Sequence, residues 1–363
     1  MSIQTKTLSV RIKDKHAKIL RQMAFEVNQV FNLANELTTK ACRNYSDAGA
    51  VKPAWLSAYD VQKPVLQNRR ERGFIIPSHT AQEVCAKHHQ ARKQFKKAKL
   101  RWRISSGSKR SLGWIPFKKG SAKWVNGSVR FAKHNFNVWD SYGLSEYQFA
   151  AGSFSEDSCG HWYFNVAVQV ESVTSEGKES VGIDLGLKDV ATCSDGVQLE
   201  SKQFYRSLED KLGRAQRANK KQRVKAIHAK IKNKRKDHIH KFTTALVKNN
   251  AAIFVGDVSS LKLVKTKMAK SVLDAGWGML KDQLKYKAMA QSVVFEVVNE
   301  SYSTQTCSCC GVIPDSSPKG RSGLGIREWV CSECGAEHLR DINAARNILA
   351  AGHCRLAVGI PRL

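Results

Sequence analysis

No run in this sequence stays apolar for the roughly 18 residues that a membrane-spanning helix needs. The opening Met1-Ser2-Ile3-Gln4-Thr5-Lys6 has none of the apolar core of an export signal. The expectation is a cytoplasmic protein with no membrane partner. That changes the meaning of the ten cysteines, which read as reduced thiols or metal ligands rather than a disulfide framework. Acidic residues are scarce too: 31 Asp and Glu face 60 Lys and Arg, a formal charge of +29. A compact chain so one-sided repels itself unless a polyanion sits on it, so nucleic acid is the expected partner. Internal repeats are absent, and the sequence leaves the oligomeric state open.

What is present falls into two styles. Residues 5–13 alternate like a short strand, and from Lys15 to about Tyr45 apolar residues recur at helical spacing (Ile19, Met23, Val27, Phe31, Ala34). A second helix is expected over about 80–103, ending in dense positive charge. A Gly/Ser-rich, basic and aromatic segment follows at 104–127, then short strands over 128–172, including Ser128–Lys133 and Trp162–Val170. Beyond a linker at Ser172–Glu179 come apolar strands at Val181–Asp184, Val190–Cys193, Ala251–Val255 and Val293–Val298. Helices are expected between and after them at 206–248, 274–290 and about 341–351, the pattern of an α/β sheet.

Cys307 and Cys310, then Cys331 and Cys334, form two C-x-x-C pairs, each followed by a glycine, Gly311 and Gly335. Four thiolates so spaced make a closed tetrahedral zinc site, structural because no coordination position stays open. Cys309 and His338 lie beside the pairs and are left out of the ligand set. Cys42, Cys85, Cys159, Cys193 and Cys354 have no ligand-like spacing and read as small core residues.

Two acids stand out. Asp184 ends the apolar strand Val181-Gly182-Ile183-Asp184, where a charge must be paired or metal-bound. Asp341 opens the helix after the cysteine pairs, either as its N-terminal cap or as chemistry. Phosphodiester hydrolysis by two divalent ions needs carboxylates converging in this way from separate segments.

Three motifs occur in order: Val-Gly-Ile-Asp-Leu-Gly at 181–186, Tyr-Ser-Thr-Gln-Thr-Cys-Ser-Cys-Cys-Gly at 302–311, and Arg-Asp-Ile-Asn-Ala-Ala-Arg-Asn-Ile at 340–348. Together they resemble the TnpB (OrfB) proteins of insertion sequences, relatives of the type V CRISPR effectors. The resemblance is strongest over 180–360 and only architectural over the first half. It implies an α/β RNase H-like (RuvC) nuclease domain over 176–363 with an inserted zinc ribbon at about 303–338. Before it, residues 1–175 would form a nucleic-acid-recognition lobe, a small β-barrel with a helical insert at about 15–105. It also implies structural Zn²⁺, two catalytic Mg²⁺, and a guide RNA from the transposon end in a bacterial or archaeal, nucleoid-associated protein. The implied activity is cleavage of guide-matched double-stranded DNA beside a short flanking motif. Asp184 would be the first RuvC acid and Asp341 the third, with Arg340 and Asn343 shaping the surroundings of the third. A transposase proper, or an accessory to one, fits less well, because no His-hydrophobe-His motif with a Tyr is visible.

The second acid is out of place. Where the family carries Glu at the end of the middle strand, this chain reads Val255-Gly256-Asp257. Asp257 is one residue out of step, so strand alternation aims it at the opposite face. Glu300 stands at the end of the next strand, where the other acids converge. Glu296 shares its parity but lies roughly 13 Å further back at about 3.3 Å per residue. Glu300 is therefore the expected second acid and magnesium ligand, with Asp257 as the alternative. With neither in place the chain would be a nuclease-inactive, RNA-guided DNA-binding protein.

Basic side chains crowd 214–236, among them Arg214, Arg217, Lys220, Lys221 and Arg223, with almost no acids to offset them. They suit sequence-blind phosphate contacts to a guide–target heteroduplex, as do Lys118 and Lys119. Trp114, Phe117 and Trp124 are either base-stacking platforms or the core of a small β unit. Trp277 reads as core.

Overall fold

A computed structural model describes residues 3–47, 55–171, 174–320 and 322–357. Ser172 and Val173 of the expected linker lie outside the described residues. The chain separates into two compact units, one over Ile3–Glu171 and one over the residues that follow.

In the first unit, β1 (Ile3–Ile12) buries Leu8, Val10 and Ile12 on one face, as period-two alternation requires. Helices α1 (Ala17–Asp47), α2 (Ala58–Glu71) and α3 (Ser78–Phe95) come next. The strands β2 (Trp114–Phe117), β3 (Lys123–Val125), β4 (Ser128–Phe131), β5 (His134–Phe136), β6 (Val138–Trp139), β7 (Phe149–Glu156) and β8 (Trp162–Glu171) follow. They form an antiparallel sheet in the order β2-β7-β8-β1-β6 and a smaller one in the order β3-β4-β5. Phe117, Phe131, Phe136, Phe154 and Phe164 pack with ring centroids 5.1–5.8 Å apart. Phe117 is thus core and cannot stack on a base, while Trp114 and Trp124 are half-buried against the same cluster.

Two helix expectations need correction here. The helix expected to reach 103 stops at Phe95, with Lys96 in the left-handed region at φ +49°. Lys93, Lys96, Lys97 and Lys99 would repel one another at helical spacing, which favours ending it. Helix α2 was not expected, although Ser57 and Asp60 form a reciprocal capping box at its start.

The second unit contains β9 (Glu179–Asp184), β10 (Asp189–Cys193), β11 (Gln198–Glu200), α4 (Glu209–Arg217), α5 (Lys221–Asn249) and β12 (Asn250–Gly256). Then come α6 (Ser260–Leu263), α7 (Ala269–Ala275), α8 (Trp277–Ala290), β13 (Val294–Val298), β14 (Glu328–Val330), β15 (Glu337–Leu339) and α9 (Arg340–Ala357). The sheet runs β11-β10-β9-β12-β13, antiparallel through β11, β10 and β9 and parallel through β9, β12 and β13. Ile253, Phe254 and Val255 are all buried, as expected of a central strand covered on both faces. The basic region expected as one helix is two, broken at Asn219 with φ +50°, and Leu212 and Ala215 cluster with Ile227 and Ile231.

Helix α9 lies against the sheet because two glycines leave room for it. A Cβ on Gly182 would collide with the Ala345 carbonyl oxygen, and one on Gly352 with the Phe254 ring. Trp277 is core, its Nε1 donating to the Val190 carbonyl at 3.2 Å. Cys42, Cys85 and Cys193 are buried, but Cys354 is exposed and Cys159 only partly covered, against the core expectation for both. Among the described residues no helix is long and apolar enough to cross a membrane.

Candidate active site and metal centre

Parallel pairing aligns Ile183 with Val255 and Gly256 with Val298, so β9, β12 and β13 end at the same edge of the sheet. Asp184 closes β9, and Asp341 stands in the first turn of α9. Burial, then the Asp341 and Glu300 carboxylates, push the Asp184 carboxyl up to about 7 against a smaller lowering by Arg340. An acid so placed holds a proton or a cation.

Glu300 fills the space left by Gly256. A Cβ on Gly256 would collide with Glu300 Oε2, and would stand 3.3 Å from Glu300 Cβ and 3.2 Å from Ile348 Cδ1. No side chain fits at 256 while Glu300 holds this position. The Glu300 N–H donates to Asp257 Oδ1 at 3.3 Å. Burial, then Asp257, raises the Glu300 carboxyl, opposed by Lys281 and the Val258 N–H. Lys281, on α8, also donates to the Val258 carbonyl at 3.5 Å. Of the two candidate second acids, Glu300 acts on Asp184, whereas Asp257 is exposed and supports Glu300. Glu296 lies elsewhere, 3.8 Å from Arg355 Nε.

Asp341 faces Arg327, with both carboxylate oxygens 3.2–3.3 Å from its guanidinium. Arg340 donates to the Gly323 carbonyl at 2.6 Å. One helical turn apart on α9, Asn343 and Asn347 each donate at 2.7 Å to the Thr306 carbonyl and also to that of Ser303. Asn343 Oδ1 accepts the Ser308 N–H at 2.9 Å. The helix bearing Asp341 is thus fastened to the chain just ahead of Cys307. Sequence reading missed Asn347; a second asparagine at i+4 inside a helix was the available signal.

The sulfurs of Cys307, Cys310, Cys331 and Cys334 lie within 4.8 Å of one another, with Cys307–Cys334 at 3.7 Å and Cys310–Cys331 at 3.8 Å. A tetrahedron with Zn–S bonds of about 2.3 Å has edges of about 3.8 Å, so the thiolates fit zinc. Positive φ at Gly311 (+77°) and Gly335 (+73°) turns the backbone under each pair. Cys309 is exposed and outside the cluster. His338 is not a fifth ligand: its Nε2 lies 3.0 Å from Cys307 Sγ and its ring 4.7 Å from that of Trp329. Among the described residues no other group of three or more His, Cys, Asp or Glu brings its ligand atoms within 4.8 Å of one another, so the carboxylates of Asp184, Glu300 and Asp341 are not all that close.

Arg214, Arg217, Lys220, Lys221 and Arg223 are all exposed on α4, α5 and their connection. Nearby Arg235 is instead paired with Asp274 at 2.6 Å, and Asp274 also accepts the Tyr205 N–H. Lys119 is exposed, but Lys118 is engaged with Gln82 at 3.2 Å and Glu83 at 3.7 Å.

Residues 163–267 match the IS605-type OrfB family, described as "Probable transposase". Residues 277–348 match the Cas12f1-like TNB domain, a stretch that takes in Glu300, the four cysteines and Asp341. Over these two stretches the chain is similar to the TnpB (OrfB) family. A Streptomyces pristinaespiralis relative, provisionally named an RNA-guided DNA endonuclease, is 31% identical over 270 residues, covering 69% of this chain and 65% of the relative. Escherichia coli K12 InsQ, with the same provisional name, is 32% identical over 234 residues, 56% of each chain. The match therefore spans less than two thirds of either relative. In solved structures, the protein of a Cas12f1–sgRNA–target DNA complex shares the fold, with a TM-score of 0.60 and 13% identity over 95% of this chain and 98% of that one.

Proposed function

We propose that this chain is a transposon-encoded, RNA-guided DNA endonuclease that hydrolyses guide-matched double-stranded DNA beside a short flanking motif. The observation that carries the reading is the Glu300 carboxylate seated in the space left by Gly256, acting on Asp184 together with Asp341. These three acids would hold divalent cations, two Mg²⁺ in our reading, which when bound supply an activated water and charge for the departing oxygen. The chain's own residues prepare that site. Below about pH 7 Asp184 holds a proton that a bound cation would displace. Asp257 accepts the Glu300 backbone N–H, Lys281 offsets the charge of the Glu300 carboxylate, and Arg327 balances Asp341. Zinc on the four cysteines is structural and keeps the 303–308 segment, and through it α9, in place.

In this reading residues 1–175 are a recognition lobe, a small β-barrel with a helical insert, and 176–363 are the RuvC-like nuclease domain. The exposed cations of α4 and α5 neutralise backbone phosphates of the guide–target heteroduplex. The relatives' provisional names agree with this assignment. To test it, RNA that co-purifies with the chain is sequenced, and a plasmid carrying the match is incubated with the complex and Mg²⁺. Nicked or linear product is expected. Protection of the matched site without any cut would instead identify an RNA-guided binder without nuclease activity.

A further inference from the structure

Between α3 and β2 the chain carries no regular secondary structure, yet part of it is held rigidly by α1. Asn35 Nδ2 donates to the Leu100 carbonyl and Asn35 Oδ1 accepts the Leu100 N–H, both at 2.9 Å. Asn32 makes the same pair of bonds with Arg103, again at 2.9 Å. Asn28, on the same helix face, adds a bond to Ser105 Oγ at 3.1 Å. Side-chain amides thus replace a neighbouring strand and fix residues 100–103 in one conformation.

This clamp sorts the side chains it presents. Leu100 packs on the core, and the Arg103 guanidinium lies over the Phe31 and Trp114 rings, 4.7 and 5.2 Å from their centroids. Between them Arg101 and Trp102 face outward, with Trp102 41% exposed. Trp102 lines an open cleft of about 1040 Å³ together with Phe95, Lys97, Lys99 and Arg101. The one acid in that lining, Glu156, is already neutralised by Arg110 through bonds of 2.6 and 3.0 Å. The cleft is therefore positive, with exposed aromatic rings set among lysines.

We propose that this cleft binds an unpaired stretch of nucleic acid, one base stacked on Trp102 and the adjoining phosphates on Lys97, Lys99 and Arg101. A paired base hides its face inside the duplex, whereas an unpaired one offers it to an aromatic ring. Because the asparagines fix the segment beforehand, stacking does not have to order it. The proposal rests on the reading that the chain carries nucleic acid, and its test separates the two. The full chain, stripped of bound nucleic acid at high salt, is titrated with a labelled unpaired 12-mer of RNA, the same sequence as DNA, and a blunt duplex. Trp102→Ala, at an exposed position, should weaken single-strand binding roughly ten-fold and leave duplex binding unchanged, while Trp102→Phe keeps most of it. Lys99→Gln and Arg101→Gln should each lower the salt slope by about 0.7 for the single strand. Stronger loss on RNA supports the guide as occupant, and stronger loss on DNA a displaced strand. Single strands bound by Trp102→Ala as tightly as by the unaltered chain would overturn the proposal. A chain that bound no nucleic acid at all would overturn the parent reading with it.

Discussion

At Asp184, burial and two neighbouring carboxylates hold the acid near neutrality, its pKa about 7. In the unfolded chain the same group loses its proton near about pH 4. Between those values the folded protein binds more protons than the unfolded one, so the metal-free protein loses stability as pH rises from about 4 to 7. Asp184→Asn removes the charge and should raise the metal-free melting temperature at pH 8 by a few degrees while abolishing cleavage. A lower melting temperature in a thermal scan would contradict the repulsion. Cleavage should likewise need more Mg²⁺ as pH falls below about 7, because protons then compete for the same oxygen. At position 256 an added methyl meets the mobile end of Glu300, so Gly256→Ala should change stability by about 1 kcal/mol or less yet slow single-turnover cleavage at least about ten-fold. Asp184, Asp341 and the four cysteines were legible in the sequence because each sits in a short contiguous motif. Glu300 was legible only through strand register, and its link to Gly256 needed the packed structure. His338 escaped as a partner of Cys307 because its role is a hydrogen bond that spacing does not encode.

Secondary structure is where charge and close approach overrode periodicity. The apolar pattern located α1 and, in the second unit, β9, β10, β12 and β13 to within a few residues, but not the three-residue strands β11, β14 and β15. It carried α3 too far, since helical spacing of lysines favours the pattern while their repulsion opposes the helix. The most consequential element is α9, whose seat on β9 depends on Gly182. A methyl there meets backbone rather than a flexible side chain, so relief requires the helix to move. Gly182→Ala should cost about 1–3 kcal/mol in urea unfolding and should also impair cleavage by displacing Asp341. Unchanged stability would show that α9 does not pack as described.

Across the whole molecule, the +29 charge and the four-cysteine cluster would set the conditions under which the proposed site works. Stripping zinc with a chelator should free the 303–308 segment from Asn343 and Asn347, and cleavage should not return on adding Mg²⁺ alone. The charge imbalance was plain from composition, but which cations are available was not, since Lys118 and Arg235 prove to be engaged while Arg214 and Lys221 are exposed. The central claim, a nuclease whose second acid has moved from 256 to 300, has a direct test. It is single-turnover cleavage of guide-matched DNA by Glu300→Ala, alone and combined with Gly256→Glu. The single variant should cut roughly a hundred-fold slower or worse, and the double variant, with space for a side chain at 256, should recover part of that loss. Cleavage by Glu300→Ala at the unaltered rate would contradict the account.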